Sequence, residues 1–219
     1  MHKTVQNLIS IEDEIKSNLS DLNQTNLPNI IAVSKTFKID NIMPLIEHGH
    51  RNFGENKVQE AVDKWTEVKK EQPNIQLHMI GRLQTNKVKF AVKLFDFIHS
   101  VDSEKLAKKI ADEQNKVSKN IKIFIQVNIG DESQKSGINK NELNNLVSYS
   151  KNLDLNILGL MCIPPVHIDP INIFKEMNEL NKSFNFKDLS MGMSSDYIEA
   201  ARYNSSYLRI GTSIFGQRT

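Results

Sequence analysis

The feature that most constrains this chain is an alternation of eight short apolar runs with segments whose apolar residues recur at helical spacing. The runs fall at residues 30–33, 51–54, 77–80, 97–100, 121–127, 157–161, 188–191 and 207–210. Several show no strict polar/apolar alternation, as expected of strands in a parallel sheet covered on both faces. Between them, Val58, Ala61, Val62, Trp65 and Val68 share one helical face, as do Leu106, Ile110 and Val117 with Ala107 and Ala111. Asp169 and Pro170 read as an N-cap and N1 proline opening a helix with Ile173, Phe174, Met177 and Leu180 inward. Asp40 opens another helix that Gly49 closes, with Ile42, Leu45 and Ile46 inward. A further helix carrying Val5, Leu8, Ile15 and Leu19 precedes the first strand. Eight βα repeats with short connections predict an α/β fold: a single TIM-type (β/α)8 barrel with an extra N-terminal helix, residues 1–219 forming one domain. An open doubly wound sheet is the alternative, because periodicity does not report closure.

Composition narrows the function classes. A net charge of +2 leaves no electrostatic footprint for nucleic acid or an anionic membrane. The lone cysteine, Cys162, excludes an intramolecular disulfide and a multi-cysteine zinc site. Residues 1–7 lack the apolar core of a signal peptide, and no apolar run approaches the roughly 20 residues of a membrane span. A cytoplasmic protein with no nucleic-acid or membrane partner is expected. There is no GxGxxG, P-loop or HExxH motif. The six histidines show no metal-ligand spacing: His48 and His50 are two apart, and His78 and His99 read as strand residues with ordinary partners.

In a barrel, ligand chemistry belongs at the C-terminal ends of the strands. That rule selects Lys35, Asn56, Gly81, Asn128, Met161, Ser194 and residues 209–212. Lys35 would project from the mouth of strand one, where its amine can form a Schiff base with an aldehyde; a solvated loop lysine is the alternative. Ser194, Gly211 and Thr212 follow strands seven and eight, where many barrels bind a phosphate on hydroxyls and backbone N–H groups. Alternatively, Ser194 or Ser195 caps a helix and Gly211 relieves a tight turn. Arg209 lies between Leu208 and Ile210 in an apolar strand and needs a partner, either an ion pair or a ligand atom. Asn56 can donate to a ring substituent or cap the following helix. Cys162, after Met161, is expected at the barrel mouth.

These motifs identify a family. The chain resembles the YggS/PROSC proteins, the pyridoxal 5′-phosphate (PLP) homeostasis family, whose barrel is similar to the N-terminal domain of alanine racemase. The resemblance rests on IAVSKT at 31–36, FGENKVQE at 53–60, HMIGRLQTNK at 78–87, Val127 and Asn128 with KSG at 135–137, GLM at 159–161, LSMGMS at 189–194 and RIGT at 209–212. Leu77, Arg82 and Cys162 depart from a frequent Trp, His and Thr at those positions. The resemblance implies PLP as cofactor, with Lys35 as the Schiff-base lysine and Ser194, Gly211 and Thr212 on the phosphate. It places Arg209 at the pyridine nitrogen and Asn56 near the ring.

The same resemblance implies a PLP carrier serving PLP-dependent enzymes through transient contacts, expected as a monomer with no catalytic residues and no metal. An amino-acid racemase is the alternative. Racemisation needs proton transfer on both faces of the reacting carbon, hence a base opposite Lys35. In alanine racemase a second domain supplies that base, and 219 residues are expected to leave no room for one.

Overall fold

The β-branched and aromatic runs form strands, and each is followed by a helix that buries an apolar stripe against the sheet. The structure, a computed structural model, describes residues 1–20, 26–130, 136–165 and 168–217. Its strands are β1 (Asn29–Val33), β2 (Asn52–Glu55), β3 (Gln76–Met79), β4 (Phe97–Val101), β5 (Lys122–Gln126), β6 (Asn156–Met161), β7 (Asp188–Met193) and β8 (Tyr207–Ile210). All pair in parallel in sequence order, and β8 returns to β1 through Asn29↔Tyr207 to Ala32↔Ile210. The sheet is therefore a closed barrel, and the open alternative is excluded.

Helix α1 (Lys3–Ser20) precedes β1; α2 (Ile39–Glu47), α3 (Val58–Glu71), α4 (Val88–Leu94), α5 (Glu104–Lys116), α6 (Lys140–Asn152), α7 (Pro170–Ser183) and α8 (Tyr197–Arg202) follow β1 to β7 in turn. A four-residue α9 (Thr212–Phe215) follows β8. Asp169 caps α7 through the Ile171 N–H, with Pro170 at the first turn, as expected. Asp40 does not open α2. The helix starts at Ile39, Lys38 occupies the cap without a side-chain bond, and Asp40 sits in the first turn. Gly49, at φ +105°, ends that helix.

Packing separates two environments. Leu208 and Ile210 face outward into the large core between sheet and helices, which also takes Trp65, Phe53, Phe174 and the inner row of α1. Phe97, Phe124 and Met161 form a second cluster with Leu158 and Tyr207. Side chains from β4, β5, β6 and β8 can meet only through the barrel interior, so this cluster fills the axis. Arg209 shares the inward parity of Tyr207.

Candidate functional site

Six expected residues converge at the C-terminal mouth of the barrel. Lys35, Asn56, Ser194, Arg209, Gly211 and Thr212 all line one cleft of 310 Å³, walled on its apolar side by Val33, Ile80 and Ile163. That volume is at the small end for ligand pockets. Larger concavities lie beside α2 and α3 (570 Å³) and at the β3 and β4 loops (520 Å³), but neither brings strand-end residues from opposite sides of the barrel together.

Lys35 is held by what surrounds it. Ser34 is fully buried, its N–H donating to Gly54 O and its hydroxyl to the Glu55 carboxylate at 2.8 Å. Thr36 takes φ +70°, which a β-branched residue rarely adopts. Its N–H donates to Glu60. Burial works against ionisation of Glu60, but the Thr36 N–H and Lys64 outweigh it and hold the carboxyl below its usual range. Lys64 also donates to Ser34 O and to buried Glu55, tying the turn to α3. A left-handed turn clamped by an ionised carboxylate thus sets the direction of Lys35.

At the far side, Ser194 Oγ accepts from the N–H groups of Gly211 and Ser213, at 3.3 and 3.4 Å. Neither Ser194 nor Ser195 caps a helix: β7 runs through Met193, α8 starts at Tyr197, and Asp196 holds the cap position. The Asp196 carboxylate instead accepts from the Met193 N–H at 2.6 Å. Gly192, at φ +90°, bends the strand where pairing with β8 shifts register. The bend brings Ser194 against the β8 loop.

Arg209 is 5% exposed, and among the described residues no carboxylate lies within ion-pair distance of it. Its partners are neutral: Ser190 Oγ at 2.6 Å and the Cys162 carbonyl at 2.7 Å. Burial lowers its pKa, a shift that the more distant Asp196 opposes. Cys162 corrects an expectation. Its side chain is fully buried in the core and does not line the cleft, and burial pushes its thiol up to about 12. Only its backbone reaches the site, through the carbonyl.

Other residues on the strand-end rule do different work. Met161 fills the barrel axis. Gly81 lets the β3 loop pass the Asn56 backbone, since a Cβ there would stand 2.3 Å from Asn56 O. Asn128 is buried, its N–H bonded to Ile138 O. Lys135 and His167 lie outside the described residues. Among the described residues no cluster of three or more His, Cys, Asp or Glu could hold a metal.

Sequence reasoning missed Ser190, His78, His99 and Asn52, which line the axis beneath Arg209. Their signal was parity: each stands on the inward side of its strand, as Arg209 does.

Comparison with known proteins places this geometry. The sequence model of the family described as alanine racemase, N-terminal domain, matches residues 12–219. A protein of Pasteurella multocida named pyridoxal phosphate homeostasis protein is 33% identical over 225 residues, covering 97% of each chain. One of the same name from Vibrio cholerae is 37% identical over 200 residues, covering 86% of this chain and 85% of its own. The chain belongs to the pyridoxal phosphate homeostasis protein family. PipY of Synechococcus elongatus, solved with PLP bound, has 32% identity and a TM-score of 0.80, covering 92% of this chain and all of its own. The chain thus shares its fold with PipY along nearly its whole length.

Proposed function

We propose that this chain binds PLP reversibly, through a Schiff base on Lys35, and exchanges it with PLP-dependent enzymes by transient contact, with no reaction of its own. The observation that carries this reading is the composition of one cleft. A lysine amine enters from β1, hydroxyls and N–H groups gather at the β7 and β8 loops, and a buried guanidinium lies in the wall. Those three donor types fit an aldehyde, a phosphate and an unprotonated ring nitrogen respectively. The relatives' names and the PLP bound to PipY support the same ligand.

Each residue has a task. Lys35 would hold the aldehyde through its amine, an attachment that water can reverse and that would therefore serve both loading and release. Ser194 and Thr212 would present hydroxyls to the phosphate, and the Gly211 and Ser213 N–H groups, which donate to Ser194 Oγ in this structure, would have to share or exchange that bond to reach it; all are neutral donors. Arg209, a donor only, would face the ring nitrogen and favour its unprotonated form, and Asn56 would line the cleft beside the ring. When bound, PLP supplies an electron sink for bonds at an amino-acid α-carbon, and an unprotonated ring nitrogen weakens that sink. This favours carriage over turnover.

Purified protein titrated with PLP is expected to develop a Schiff-base absorbance band that Lys35→Ala lacks. A band persisting in the variant overturns the assignment to Lys35. Incubation of loaded protein with enantiopure alanine is expected to leave its chirality unchanged, and sustained multiple turnover would establish the racemase reading instead.

A further inference from the structure

The barrel axis holds a continuous hydrogen-bond chain beneath the cleft. It runs from Arg209 Nη1 to Ser190 Oγ (2.6 Å), from Ser190 Oγ to His99 Nδ1 (2.9 Å), from His99 Nε2 to His78 Nδ1 (3.0 Å), and from His78 Nε2 to Asn52 Oδ1 (3.1 Å). Its polarity follows from one end. The Asn52 carbonyl oxygen only accepts, so the proton order runs back from it to Ser190, whose hydroxyl donates to His99 Nδ1 while its oxygen accepts from the Arg209 guanidinium, which only donates. His99 therefore carries its proton on Nε2 and donates to His78 Nδ1. His78 in turn carries its proton on Nε2 and donates to the Asn52 carbonyl oxygen. Every donor meets an acceptor, with both imidazoles neutral.

The rings have little freedom to turn. His78 stacks on Phe97 at 4.1 Å and 16°, and His99 on Phe124 at 4.4 Å and 23°. Tyr207 closes on both, with centroids at 5.8 and 6.0 Å. The chain therefore fixes the orientation of Ser190, and Ser190 with the Cys162 carbonyl fixes the guanidinium at the floor of the cleft.

We propose that Ser190 and His99 are positioning residues that lock Arg209 as a donor toward the cleft, making the site selective for a ligand with an acceptor nitrogen at that point. The proposal rests on the PLP reading above. It adds that selectivity for the ring nitrogen is set along the barrel axis, by residues that touch no ligand.

The test compares PLP with 1-deazapyridoxal 5′-phosphate, which keeps the aldehyde and phosphate but has carbon in place of the ring nitrogen. Affinity is read by spectroscopic titration of the purified protein. The wild type is expected to prefer PLP at least about ten-fold, the scale of a hydrogen bond to a charged group. Ser190→Ala and His99→Phe are expected to bring that ratio to within about three-fold, chiefly by weakening PLP. His99→Gln, which can accept from Ser190 and donate to His78, is expected to restore it. Equal loss of affinity for both ligands, with the ratio unchanged, would mean a structural role only and overturns the proposal, as does a wild-type ratio near one. Failure of the wild type to bind either ligand would overturn the PLP reading itself. Nitrogen-15 spectra of the wild type give a check independent of any variant's folding: both axial histidines should be neutral and protonated on Nε2. A proton on Nδ1 of either breaks the chain.

Discussion

Gly192 shows how a single residue shapes the site. Its φ of +90° bends β7 toward the β8 loop, and a Cβ there would stand 2.5 Å from Ala200 Cβ and 3.0 Å from Leu208 Cδ2. Gly216 also has a left-handed φ, +87°, but nothing lies within 4 Å of its Cβ direction. Gly192→Ala is therefore expected to cost about 2–4 kcal/mol, combining backbone strain with overpacking. Gly216→Ala should cost about 1–2 kcal/mol, from strain alone. Urea unfolding of the two variants measures the difference; equal losses would show that the Ala200 contact contributes nothing. Strand-end position put Lys35, Ser194, Gly211 and Thr212 on a short list beforehand, with a solvated lysine, a helix cap and a tight turn as the alternatives, and the family resemblance chose among them. Ser190 and the axial histidines were not legible as a group. They come from β3, β4 and β7, and only closure makes them neighbours.

Among the elements, α1 packs on the outer helix layer, against α8, α9 and α2. Its row Val5, Leu8, Ile11, Ile15 and Leu19 is buried, and its polar side chains reach two other helices. Asn7 donates to Ile214 O in α9 at 2.9 Å, while Glu14 accepts from Tyr197 and Asn18 from Arg202, both on α8. Since α8 and α9 carry the loops that hold Ser194 and Thr212, α1 buttresses that side of the cleft from outside. Leu8→Ala, at a side chain 1% exposed, is expected to cost about 2–5 kcal/mol in chemical denaturation. A loss under about 0.5 kcal/mol would mean that α1 is not integral to the core. The apolar spacing of α1, α3, α5 and α7 revealed these helices directly. Helix α4 has only seven residues and α8 and α9 are shorter still, too few turns for periodicity to speak.

For the whole molecule, three histidines sit where charge is unwelcome. Burial lowers the pKa of His50 to about 4, and moves His78 and His99 well below the usual imidazole value. The folded state keeps them neutral while the unfolded chain takes up protons near pH 6.5. Stability is thus fully present above pH 6.5 and falls as pH drops toward 4, by at most about 4 kcal/mol per pH unit if all three act together. Carboxylates held below their usual range, such as Glu60, contribute their own losses only at lower pH. Denaturant midpoints measured between pH 7.5 and 5 should show the decline, and His50→Gln should make it shallower by about one proton. A midpoint flat across that range would contradict burial of neutral imidazoles. No helix among the described residues is long and apolar enough to cross a membrane.

The sequence by itself determined the number of βα units and the buried faces of α1, α2, α3, α5 and α7, and it selected strand-end residues that the structure brings to one cleft, because these depend on local spacing. Only the tertiary structure decided closure, through the pairing of β1 with β8, and with it everything that depends on side chains meeting across the axis. Cys162 illustrates the division. Its place after Met161 suggested the barrel mouth, yet packing turned the thiol into the core and left the carbonyl to hold Arg209. Arg209 shows the converse: its need for a partner was readable from Leu208 and Ile210 on either side, but not that the partners would be a serine and a carbonyl. Spacing along a chain specifies which side of a strand a residue occupies. Which atoms it then meets depends on seven other strands, and that is settled only when the barrel closes.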